Sequence, residues 1–122
     1  MRRMRMRKLF ASNAVKEFLN DADDKTRKKI GFVLMYLTDD KNPLTEPYVK
    51  HISIGKYNDL YELRTKASGN MARILFTLSD KDIVLLYGFY KHDKKDNLRA
   101  FGKAHKYLNC DSKTVIDIHI CS

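Results

Sequence analysis

The run from Asp59 to His92, DLYELRTKASGNMARILFTLSDKDIVLLYGFYKH, constrains the fold more than any other part of the chain. Its pattern predicts three antiparallel strands joined by short turns, the first at Ala67-Ser68-Gly69-Asn70 and the second at Ser79-Asp80-Lys81-Asp82. Side chains alternate between the faces of a strand. Tyr61, Leu63 and Thr65 therefore share one face of the first strand, and Leu60, Glu62, Arg64 and Lys66 the other. On the second strand Ala72, Ile74, Phe76 and Leu78 oppose Met71, Arg73, Leu75 and Thr77. If the first turn closes with Lys66 opposite Met71, Arg64 lies directly across from Arg73. Like charges facing each other across a sheet are destabilising, and Glu62, diagonal to Arg73, relieves only part of the repulsion. A cationic pair in that place points to a bound polyanion. A solvated outer face is the plainer reading of either arginine alone. The convergence of Lys66, Lys91, His92, Lys94 and Lys95 on the same end of the sheet favours binding.

A chain of 122 residues is long enough for one domain with its own core. It carries 24 Lys and Arg against 15 Asp and Glu, a net charge of +9, which suits nucleic acid or an acidic partner. No run of apolar residues is long enough to span a membrane. The basic start, MRRMRMRKLF, lacks the apolar core of a secretory signal, which makes the cytoplasm the expected location. Cys110 and Cys121 both fall in the tail, away from any Cys/His cluster with metal spacing. They read as reduced thiols, and no metal site is expected.

Residues 2–10 alternate Arg3, Arg5 and Arg7 with Met4, Met6 and Lys8, as a first strand or a basic arm. Ser12 or Asn13 caps a short helix carrying Val15, Phe18, Leu19 and Ala22 and ending near Asp21. Asp23-Asp24 starts a second helix whose buried stripe is Ile30, Val33, Leu34 and Leu37. Phe32, Met35 and Tyr36 widen that stripe, either to cover a sheet or to meet a partner. Pro43 and Pro47 break the following linker. Tyr48–Ile54 reads as an extended edge segment, and Ile83–Tyr90, nearly all apolar, as the central strand. A last helix from about Asp96 places Leu98, Phe101, His105 and Leu108 on one side. The expected organisation is one α+β domain over residues 1–109 and a tail, 110–122, that either adds a strand or is disordered.

The phrases PYVKHI, LYELRTKASGNMARILF and IVLLYGFYKH resemble the RelE/ParE toxin superfamily, most closely its HigB-like branch. Lys50, the triplet Glu62-Leu63-Arg64, Arg73, the run Leu85–Phe89, Lys91 and Ala104 carry the resemblance, which extends over residues 14–108. It implies a RelE-like fold: a twisted antiparallel sheet of four to five strands, two N-terminal helices and one C-terminal helix. It also implies the toxin of a type II toxin–antitoxin pair, a ribosome-dependent endoribonuclease that cuts messenger RNA without metal or other cofactor. The implied partners are the ribosome with its message and a co-expressed helix-turn-helix antitoxin of the HigA type. The chain departs from the family at His92, where many members have a second Lys or an Arg, and at Asp93-Lys94-Lys95-Asp96, where a Thr/Pro-rich turn is usual. Phe101 stands where some members place an aromatic hydroxyl on the last helix.

Metal-free RNA cleavage needs an acceptor for the 2′-OH proton, positive charge at the phosphorane and a proton for the 5′ oxygen. Arg64 and Arg73 are the expected phosphate clamps, because guanidinium binds phosphate oxygens bidentately. Lys91 and Lys66 supply further charge, and His92 is the preferred acid or base. His51 is a second candidate. Glu62 is expected to hold an arginine in place, with general base as its other reading. Lys50, His51, Lys66, Lys94 and Lys95 form the expected RNA-binding set, with Tyr90 stacking on a base. Two other functions fit the sequence: a non-enzymatic ParE-like toxin that poisons DNA gyrase, and a nucleic-acid-binding module without catalysis.

Overall fold

The structure, a computed structural model, describes residues 6–108 and the backbone of Thr114–Val115. Arg3, Met4 and Arg5 of the alternating N-terminus lie outside these residues, as does most of the tail, including Cys110 and Cys121. The first hairpin forms as its turn chemistry dictates. Ser68 and Gly69 both take positive φ, 53° and 76°, the geometry whose twist matches that of paired strands. Strands β3 (Tyr61–Ala67) and β4 (Asn70–Ser79) therefore pair with Lys66 opposite Met71 and Arg64 opposite Arg73. Asp80, at φ 56°, turns the chain into β5 (Asp82–Tyr90).

Strands β1 (Leu9–Ala11), β2 (Val49–His51) and β6 (Thr114–Val115) complete a sheet in the order β2-β3-β4-β5-β1-β6. The α+β fold is the expected one; the short β6 in the tail brings the sheet to six strands, and one strand differs in direction. β1 runs parallel to β5, so the sheet is mixed rather than wholly antiparallel. The helices between β1 and the hairpins make that crossover possible, since parallel neighbours need a long connection.

Helix α1 (Asn13–Asp21) starts at Ser12, whose Oγ accepts from Val15 N and donates to Leu86 O at 2.7 Å, stapling the helix to β5. Helix α2 (Asp24–Thr38) is capped by Asp23. Their apolar stripes cover one sheet face, where Val15, Leu19, Ile30 and Leu34 meet Leu63, Ile74, Phe76 and Leu85. Helix α3 (Lys94–Tyr107) starts two residues before the expected Asp96, because Asp93 and Asp96 form a capping box. It packs Ala100, Phe101 and Ala104 on the opposite face, against Leu60, Leu75, Val84 and Leu86.

The β4–β5 register shifts between Leu75 and Phe76, leaving Leu86 outside the pairing. This irregularity turns Gly88 and Tyr90 toward α1. A Cβ on Gly88 would lie 2.5 Å from Phe18 Cγ, so glycine there lets α1 approach the sheet.

Candidate functional site

Helix α3 does not cover all of its sheet face. Between its first turns and the β2–β3 edge lies a cleft of about 500 Å³, within the usual size range of ligand sites. Strand pairing places Lys50 opposite Glu62, and both line the cleft together with Arg64, two residues on along the same face of β3. Lys91, just past β5, is fixed by its backbone N–H to Met71 O at 2.9 Å. Lys94, Asn97, Leu98 and Phe101 form the α3 wall. These four lie at i, i+3, i+4 and i+7, one face of a helix. Ser53 and Ile54 close the side after β2.

The two arginines differ in what they can do. Arg64 is part-exposed, its side chain 29% accessible. Its Nε lies 3.3 Å from Glu62 Oε1 and its Nη1 3.4 Å from the exposed Glu46. Arg73 is only 4% exposed. Its Nη1 donates to Thr65 O and Ala72 O, both at 3.1 Å, and its Nε lies 3.5 Å from the same Glu62 oxygen. Burial pulls the Arg73 pKa below its ordinary value, Glu62 opposes this and Arg64 adds to it. The expected pair of open phosphate clamps is thus corrected. Arg64 faces the cleft, whereas Arg73 is sealed in the sheet and holds Glu62 and the hairpin backbone. Glu62 bridges both guanidiniums and answers more of their repulsion than its diagonal position had suggested.

The remaining candidates divide in the same way. Lys50, Lys91 and Lys94 join Arg64 on the cleft wall. His51 borders the cleft, but its ring packs on Tyr61 at 4.8 Å and its Nε2 contacts Asn58 O at 2.6 Å. Its imidazole is therefore committed. His92 is exposed on the turn into α3, and its backbone N–H donates to Asp96 Oδ2 at 2.8 Å. Neither it nor Lys66 and Lys95, both exposed, contributes to the cleft wall. Tyr90 is turned to the other face, its ring 5.0 Å from that of Phe18, and cannot stack on a ligand in the cleft. Phe101 is buried at the cleft base beside Tyr57, so the missing hydroxyl leaves an apolar floor.

Ser53, Ile54 and Asn97 were not singled out in the sequence, and Leu98 only as part of the apolar side of the last helix. The signal for Asn97 and Leu98 was present in their helical spacing from Lys94, whereas nothing local marks Ser53 and Ile54. In sum the wall carries the cations Lys50, Arg64, Lys91 and Lys94 around the carboxylate of Glu62, which is already engaged by two guanidiniums. Such a wall attracts an anion and stabilises negative charge developing on it. Among the described residues, no group of three or more His, Cys, Asp or Glu side chains is placed to hold a metal ion. No helix there is long and apolar enough to cross a membrane.

The family described as Phage derived protein Gp49-like (DUF891) matches residues 17–109, most of the chain. This is nearly the stretch over which the sequence resembles RelE-type toxins. No curated protein and no solved structure matches the chain.

Proposed function

The chain belongs to the Gp49-like phage-derived family, a toxin-like family associated with toxin–antitoxin systems, and we propose that it is an endoribonuclease toxin whose cleft holds RNA for cleavage. The observation that carries this reading is the set Lys50, Arg64, Lys91 and Lys94 around a cleft whose one carboxylate is already paired. In this reading Arg64 grips the scissile phosphate, oriented by Glu62, which Arg73 holds from below. Lys50, Lys91 and Lys94 surround the phosphorane formed when the 2′-oxygen attacks. Charge preorganised at that point is worth far more than the same charge in water, because the site need not reorganise as the reaction proceeds. The 2′-hydroxyl gives up its proton to solvent water as it attacks, and a lysine ammonium of the wall gives its proton to the departing 5′ oxygen, leaving a 2′,3′-cyclic phosphate.

The finer assignments belong to the same proposal. They are a HigB-like toxin acting in the cytoplasm on messenger RNA held by the ribosome, and neutralised by a helix-turn-helix antitoxin. A gyrase poison has no use for four cations around a cleft of nucleotide size, which favours the nuclease reading.

The test is incubation of purified protein with programmed ribosomes, followed by mapping of message ends. Wild type is expected to cut, and Arg64→Ala and Lys91→Ala to lose cleavage by about a hundredfold or more, as removal of one transition-state contact does, with unchanged melting temperature. Full cleavage by both variants would overturn the site. No cleavage by wild type, with DNA breaks accumulating in a gyrase assay, would overturn the function.

A further inference from the structure

Asn97 has a feature that phosphate binding does not explain. It lies on the cleft wall of α3, and its Oδ1 is sealed from bulk solvent yet accepts no hydrogen bond from the protein. Leaving a buried acceptor unmatched is costly, and such groups in proteins are nearly always satisfied. An amide offers one acceptor and two donor hydrogens, the complement of a nucleobase edge, where donors and acceptors lie side by side.

The surroundings of Asn97 suit the rest of a base. Leu98, beside it on α3, is 59% exposed, and Ile54, from the segment after β2, is 55% exposed. These are large aliphatic side chains left in solvent, and both line this cleft. Phe101, one turn beyond Asn97, gives an apolar floor. The cations Lys50, Arg64, Lys91 and Lys94 line the same cleft, with Glu62 among them. The cleft thus has a part for a flat apolar face, a part for a polar edge and a part for phosphate, which together describe one unpaired nucleotide. Recognition of unpaired RNA uses these three contacts.

We infer that Asn97 is the specificity-determining residue of the cleft: its amide, held inward by no hydrogen bond at Oδ1, turns outward to read the edge of a nucleobase held between Ile54 and Leu98. This rests on the RNA reading above and adds to it the means by which one base is chosen over another. Asn97 takes no part in the chemistry itself.

The experiment is fluorescence or NMR titration of the full chain with the four nucleoside 3′-monophosphates and with ribose 5-phosphate, using wild type, Asn97→Ala and Asn97→Asp. Wild type is expected to prefer one base by about tenfold, the discrimination of a single bidentate contact. In Asn97→Ala the spread among the four nucleotides collapses to about twofold, while ribose 5-phosphate binds as before. Asn97→Asp keeps the acceptor, loses the donor and changes the ranking.

If wild type binds all four bases equally, or Asn97→Ala keeps the wild-type ranking, the inference fails and the RNA reading stands. An equal loss for every ligand including ribose 5-phosphate also overturns it, by showing a structural role. If wild type binds no nucleotide at all, the RNA reading fails with it. Mapping cleavage junctions on a message with randomised codons supplies the second readout. There the variant should cut with less base preference than wild type.

Discussion

Glu62 is the residue on which the site's electrostatics turn, and replacing it with glutamine removes its charge while keeping its shape. Its Oε1 lies 3.3 Å from Arg64 Nε and 3.5 Å from Arg73 Nε. At those distances each attraction is worth about 5 kcal/mol before solvation is counted, taking an effective dielectric constant of about 20. Desolvation offsets most of this, and breaking a buried ion pair from one side costs a net loss of about 3–5 kcal/mol. Arg64 keeps partial access to water and a second contact to Glu46, which places the expected loss near the lower limit, about 3 kcal/mol. For a domain of this size that corresponds to a melting temperature lower by roughly 10–15 °C. The assay is urea unfolding followed by far-UV circular dichroism, with the slope against denaturant unchanged. The same contacts set the response to a second change. In Glu62→Gln the cost comes chiefly from the Arg73 guanidinium left buried without its counter-charge. Adding Arg73→Met should then recover much of the loss, since an apolar side chain of similar length needs no partner. A loss below about 1 kcal/mol in Glu62→Gln, or no recovery in the double variant, would refute the claim that Glu62 holds the two arginines together.

Three further outcomes are expected. Gly88→Ala should destabilise the fold by about 1–3 kcal/mol through overpacking, because the new methyl would lie 2.5 Å from Phe18 Cγ. A neutral result in chemical denaturation would mean that α1 shifts freely on β5. Asp96 is held below the ordinary carboxylate value by the backbone N–H groups of Asp93 and His92. Its stabilising effect is therefore complete above the unfolded value of 3.8 and lost as the pH falls through the lower folded value. The gap in melting temperature between wild type and Asp96→Asn should accordingly be open at about pH 6 and close as the pH falls through the lowered folded value. Burial raises the Tyr90 phenol above its ordinary 10.0, so its contribution is present below that value and lost as the pH rises through the folded one. Tyr90→Phe should remove this alkaline loss and leave RNA cleavage and growth inhibition at wild-type levels, since the ring packs on Phe18 away from the cleft.

The hairpin was legible because local chemistry determines it. A turn at Ser68-Gly69 closes only one register, and that register alone sets Arg64 across from Arg73. The helices were legible from their periodicity and from the caps at Ser12 and Asp23. Tyr90 shows where such reading stops. Strict alternation from Leu85, which faces α1, would place Tyr90 on the cleft side five residues later. The shift that leaves Leu86 unpaired reverses this parity, so that Gly88 and Tyr90 face α1 while Tyr87 and Phe89 face α3. Within Val84-Leu85-Leu86-Tyr87 every residue is apolar, so no change of pattern marks the bulge.

Arg73 illustrates a second limit. Alternation assigns a side chain to a face but does not say how deeply it is buried there or which backbone groups it meets. Arg64 and Arg73 share a face, yet one is a part-exposed cation and the other a buried one whose Nη1 is bonded to the backbone of two strands. The difference orders cause and effect within the site. Arg73 fixes Glu62, and Glu62 fixes the direction of Arg64, so loss of Arg73 reaches the cleft only through two intervening contacts. Arg64→Ala removes the grip on phosphate and leaves the sheet intact, whereas Arg73→Ala removes the support and lowers stability with it. In the reading given above, the ratio of lost activity to lost stability must be large at Arg64 and small at Arg73. Two arginines that both gripped substrate would give the same ratio.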